Sequence, residues 1–151
     1  MLLPLLLALT ASPDPMSVEG VWWTEGRNSQ VTIEREGESV TGRITWYVGI
    51  EEEQVFDEQN PDEAMRGREL LDMPIIEGFE AGRNQWKRGV IYDPTEGKSY
   101  RSAIFRMDED TLGVKGCVAV VCLTQKWERV APGEVVTMER APMLRSETAS
   151  D

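Results

Sequence analysis

The sequence predicts an all-β domain, an eight-stranded antiparallel up-and-down barrel with one long acidic loop between strands 3 and 4. Two observations carry this expectation. Short segments alternate apolar and polar side chains with the period of two that half-buries a strand. Turn residues then separate those segments at tight intervals, with little helical text between them. Closure follows because it removes exposed sheet edges, although a two-sheet sandwich uses the same grammar.

In chain order, residues 18–24 (VEGVWWT) and 30–35 (QVTIER) read as the first two strands. In residues 39–48 (SVTGRITWYV), Val40, Gly42, Ile44, Trp46 and Val48 alternate with Thr41, Arg43, Thr45 and Tyr47. The first set is expected inside and the second in water. The pattern breaks from Gly49 to Arg68, where Glu51, Glu52 and Glu53 precede DEQNPDEAMRGR, a long loop with one helical turn expected after Pro61. Strand character returns at residues 73–79, 88–93, 98–107, 111–118 and 122–130. The clearest turn is Asp93-Pro94-Thr95-Glu96-Gly97: Pro94 presets φ, Asp93 can bind the backbone ahead of it, and Gly97 supplies positive φ.

A chain of 151 residues with 40% hydrophobic content suits one domain, placed at residues 13–130, with a core that needs no metal to fold. A formal net charge of -11 argues against nucleic acid or an anionic lipid surface as a partner through bulk electrostatics. Histidine is absent, which excludes serine, cysteine and zinc hydrolase mechanisms that depend on an imidazole. Residues 1–12 have the profile of an export signal, apolar from Leu2 to Leu9 and then small and polar. That stretch is too short to span a bilayer, and it departs from the usual signal in carrying no Lys or Arg before its apolar core. Residues 131–151 hold prolines and mixed charge without a sustained period, which reads as a disordered or loosely attached tail.

Cys117 and Cys122 flank a turn, with Lys115 and Cys117 on the polar face of one strand and Cys122, Thr124 and Lys126 on that of the next. The sulfurs should meet as a structural disulfide, contributing only ~2 kcal/mol because the loop is small. A redox-active pair would need a CxxC spacing or a neighbour that lowers the thiol pKa, and neither is present.

Taken together, Gly20-Val21-Trp22, Gly42-Arg43-Ile44, Asp57 through Asn60-Pro61-Asp62 to Arg66, Ile76 through Gly78-Phe79, Trp86, Gly89 through Pro94, Gly97-Lys98, Tyr100, Lys115-Gly116-Cys117 and Trp127-Glu128-Arg129 form an ordered set. It resembles the bacterial family known as domain of unknown function 2147, over about Val18 to Val130. The resemblance implies an exported protein with a lipocalin-like barrel, and it brings no catalytic residues. A looser similarity to the wider lipocalin-like superfamily implies that Gly20, Trp22 and Arg129 close one end of the barrel, with Arg129 stacked on the Trp22 indole.

Asp57, Asn60 and Asp62, near Glu51 to Glu53, offer oxygen ligands of the kind calcium takes. The spacing is not that of an EF-hand, and Asn-Pro-Asp is a turn former in its own right, so the expected role is to satisfy backbone donors and pin a lid over a barrel mouth. No metal or cofactor is called for. Glu51, Asp57, Asp62 and Glu77 could supply a two-carboxylate hydrolase, but nothing in the spacing puts a pair across a cleft, and the protein reads as non-catalytic. Trp46, Trp86, Tyr92 and Tyr100, with Arg43 as a cationic handle, form the candidate ligand set. The competing account makes the aromatics, Trp22 and Trp127 included, plain core, and leaves Arg43 and Lys98 as surface charges. The apolar tip Val118 to Val121 is either folded beneath the barrel or offered to a partner, being too short to anchor in a membrane.

These features describe an exported bacterial barrel of the periplasm or medium that binds a small, partly apolar ligand. The alternative is an envelope structural or protein-interaction module with a filled interior. An interior cavity of about 300 Å³ or more lined by tryptophans separates the first from the second.

Overall fold

The computed structural model describes residues 11–48 and 55–135. Residues 1–10 of the expected leader (1–12), Glu51 to Glu53 within 49–54, and residues 136–151 of the expected tail (131–151) lie outside the described residues. Nine strands make one sheet: β1 (Gly20–Trp23), β2 (Ser29–Glu36), β3 (Ser39–Tyr47), β4 (Pro74–Glu77), β5 (Glu80–Ala81), β6 (Trp86–Asp93), β7 (Lys98–Arg106), β8 (Thr111–Val118) and β9 (Val121–Arg129). Every pairing between them is antiparallel. β1 pairs with both β2 and β9, and β4 pairs with β6, so the sheet closes on itself. β4 and β5 both lie against β6 and are two pieces of one stave broken at Gly78-Phe79, which makes the closed barrel eight-stranded.

The interior follows from register. Trp22 faces Val31, Val31 faces Ile44, Gly42 faces Ile76, Ile76 faces Ile91, Trp86 faces Ile104, Ile104 faces Val114 and Leu112 faces Trp127. Those partners share one side of the pleat, and all but Ile91 are buried.

The alternation expected for β3 holds up to Ile44 and then inverts. Gln30 pairs with Trp46 while the next residue, Val31, pairs with Ile44, so Thr45 is an extra residue with no opposite number. One inserted residue moves every later side chain to the other face. Tyr47 is therefore buried, Val48 is exposed, and Trp46 stands outside, edge-on to Trp23 with ring centroids 5.6 Å apart.

One end of the barrel carries the turns after β2, β5 and β7, and the other carries the turns after β1, β6 and β8 together with the loop that leads into β4. The chain entering β1 crosses the first end: the Trp22 indole N–H donates to the Val18 carbonyl and that of Trp86 to the Met16 carbonyl, each at 2.9 Å. Residues 131–135 run along the outer wall instead, where the Gln30 amide donates to the Glu134 carbonyl and Arg27 pairs with the Glu134 carboxylate at 3.3 Å.

Candidate functional site

At the closed end, the Arg129 guanidinium lies over the Trp22 ring, 4.3 Å from its centroid, and its Nε donates to the Glu109 carbonyl at 3.1 Å. Gly20 makes room for it, since a Cβ there would sit 2.6 Å from an Arg129 nitrogen. Burial pushes the Arg129 guanidinium pKa below its ordinary value. Truncation of Arg129 to alanine is expected to destabilise the domain by about 1–2 kcal/mol through the lost cation–π contact and packing. Chemical denaturation measures it, and an unchanged midpoint would make the stack energetically idle.

At the open end, Asp57 is fully buried and accepts from the Tyr92 hydroxyl at 2.6 Å, the Asn60 amide at 2.7 Å and Arg68 at 3.2 Å. The donors expected from sequence were backbone ones, yet these three are side chains. Asn60 does serve the backbone, its Oδ1 accepting from the Asp62 N–H, and Asp62 caps the short 3₁₀ turn Glu63–Met65. Residues 55–70 are thereby locked to β6, with the Gln59 carbonyl packed so closely on Gly97 that any side chain there would strike it. The turn itself matches expectation, with Asp93 accepting from the Thr95 N–H and hydroxyl, Gly97 at φ 65°, and its N–H donating to the Asp93 carbonyl. The sequence pattern does not single out Arg68. Its only sequence signal is its place in a loop that brings a buried carboxylate.

Burial first, and then the bond to Asp57, push the Tyr92 hydroxyl up to about 12 from 10.0. A raised folded-state value means that the neutral phenol is favoured in the native protein. The associated stability is whole below pH 10.0 and drains away as pH rises towards about 12. The expected result is a loss of stability in that window, followed by denaturant melts at each pH, that is absent in Tyr92→Phe, which has no hydroxyl to ionise, and that starts closer to pH 10.0 in Asp57→Asn. An alkaline profile identical in all three proteins would refute it.

The residues proposed as a ligand set do not converge. Trp86 is buried in the core at the closed end, Trp46 lies outside, and Tyr92 is committed to Asp57. Arg43 is also outward, donating to the Asp72 carbonyl at 3.2 Å and lying 3.9 Å from Glu36. Outward placement follows from its neighbours Gly42 and Ile44, which face in. Tyr100 is partly exposed near the open end, its hydroxyl donating to Glu96 at 2.6 Å. Lys98 is exposed.

Trp22, Trp86, Trp127, Phe79, Ile33, Met73, Ile76, Ile104 and Leu112 are each at most 2% exposed and belong to one buried core. Two hollows lie at the surface. One, about 570 Å³, is an open groove between residues 130–134 and the end of β9, bordered by Arg27, Asp110, Glu128 and Glu134. The other, about 210 Å³, lies between the 55–70 loop and the Pro94 turn. Neither is lined by a tryptophan. Among the described residues, no group of three or more acidic, cysteine or histidine side chains is placed to hold a metal ion.

Cys117 and Cys122 are bonded, directly opposite one another across β8 and β9. Residues 20–129 match the bacterial family described as an uncharacterized protein conserved in bacteria, DUF2147. The chain belongs to that family. A solved structure, protein HP1028 from Helicobacter pylori, described as belonging to the lipocalin family, superposes with a TM-score of 0.68 at 16% identity. The alignment covers 90% of this chain and 99% of that one, and at such identity it shows a common barrel fold alone. No curated protein matches the sequence.

Proposed function

We propose that this DUF2147 chain is an exported, non-catalytic barrel that acts through its surface, as an envelope structural or protein-interaction module. The observation that supports the reading is the burial of three tryptophans and Phe79 as core inside the barrel, where a ligand would otherwise sit. The disulfide supports an oxidising compartment, the periplasm or the medium. No helix among the described residues is long and apolar enough to cross a membrane.

Binding of a small, partly apolar ligand is a second reading, favoured by one feature near the open end. There the Ser102 hydroxyl is buried without a partner, and Gly116, which pairs with Ser102, has only Tyr100 within 4 Å of where a side chain would begin.

Native mass spectrometry of protein purified from its own envelope tests both readings. The expected species is the oxidised polypeptide, shortened at its N-terminus by signal cleavage and carrying no small molecule. A stoichiometric small molecule that is lost on Ser102→Leu would instead establish the ligand reading. Free thiols on an uncleaved chain would remove export.

A further inference from the structure

β9 is paired with β8 along its whole length, from Val118↔Val121 to Thr111↔Glu128. On its other side it meets β1 only at Trp23↔Glu128 and Trp22↔Arg129. Among the described residues, the β1-facing edge of residues 121–127 therefore has no strand paired to it. Its surroundings are apolar and in water: Val118 is 62% exposed, Val120 95%, Val121 64% and Leu123 75%.

Soluble proteins blunt such edges with charge, proline, a bulge or brevity. From Val121 to Gln125 there is neither a charge nor a proline, and the register with β8 is unbroken. The turn is unusual in the same sense. Ala119 takes φ 53° in a two-residue hairpin, a place that glycine or asparagine fills at lower cost, and Val120 beside it is both β-branched and bare. The Cys117–Cys122 bond closes the hairpin directly beneath that turn. Local rules broken at one spot, with a covalent clip holding it in shape, mark a surface kept apolar for contact.

We infer that this edge pairs with the same edge of a second copy of the chain. The hydrogen-bond phase fixes how. The Val130 N–H donates to Val21 on the β1 side, so the even-numbered residues Cys122, Thr124 and Lys126 point their N–H and C=O groups out of the free edge. A two-fold axis through Thr124 sets it against Thr124 of the second copy and sets Cys122 against Lys126 in both directions. All the outward main-chain groups are then satisfied, and Leu123 lies diagonal to its counterpart.

Charge decides for a second copy. The chain carries -11, but residues 111–127 are its longest run without Asp or Glu, so two copies meet here without opposing acid to acid. Lys126 falls across from Cys122 and not from its own counterpart. The pairing rests on the reading that the surface is the working part.

Sedimentation velocity of the oxidised protein across a range of concentrations, with amide exchange, is the test. Dimerisation is expected, with the amides of Cys122, Thr124 and Lys126 protected only where the dimer forms. Thr124→Pro removes an edge-facing N–H and none of the β8–β9 bonds, so it should weaken the dimer by at least about tenfold while leaving the barrel folded. Leu123→Lys, at an exposed site, should do the same by a different route. A monomer at every concentration overturns the inference without touching the reading of the buried aromatic core. So does a dimer indifferent to both variants, or edge protection independent of concentration, which would point to the chain's own segments.

Discussion

Trp22→Ala is expected to destabilise the barrel by about 3–5 kcal/mol, the largest loss of any single truncation considered for this chain. The indole is fully buried, its N–H holds the Val18 carbonyl, and its face carries the Arg129 guanidinium. Removal leaves a cavity beneath a partly buried cation and frees the entering chain that plugs this end. For a domain whose total stability is on the order of 5–15 kcal/mol, the loss should be plain in urea melts as a lower midpoint. Trp46→Ala is the control. The same residue type stands outside on the Thr45 bulge and should cost less than about 1.5 kcal/mol, the order of a single aromatic pair. Equal losses at the two sites would mean that the assignment of inside and outside is wrong.

Asp57→Ala is expected to cost about 2–4 kcal/mol, because three donors converge on one buried carboxylate and all three lose it together. The figure stays below that of a fully buried ion pair, since the Arg68 side chain is 32% exposed and can turn to water. The loss should be local before it is global. Amides of residues 55–70 are expected to exchange faster while those of β7 and β8 keep their protection, as read by hydrogen exchange. Uniform acceleration through the barrel would show that the loop is part of the cooperative core and not a lid pinned to it.

Much of this architecture is legible in the sequence. The strands were readable because one face of each packs inward and the other meets water, and that requirement writes a period of two into the residues themselves. The Asp93 to Gly97 turn was readable because its chemistry is local, and the Cys117–Cys122 bond because a short hairpin leaves the sulfurs few other places to go. The placement of Trp46 was not readable, for the opposite reason. Trp46 was assigned inward by unbroken alternation, and a one-residue bulge, set by its pairing with β2, turned it out.

The succession of strands and the turn chemistry are consequences of near-neighbour preferences carried by the chain alone, while closure into a barrel rests on the long-range pairings of β1 with β9 and of β4 with β6. Which aromatic rings end up inside, whether they leave any room, which donors reach Asp57 and where β9 outruns β1 depend on contacts between residues far apart in sequence. Volume and register belong to the closed sheet as a whole, because packing fills space between strands that have no local knowledge of one another.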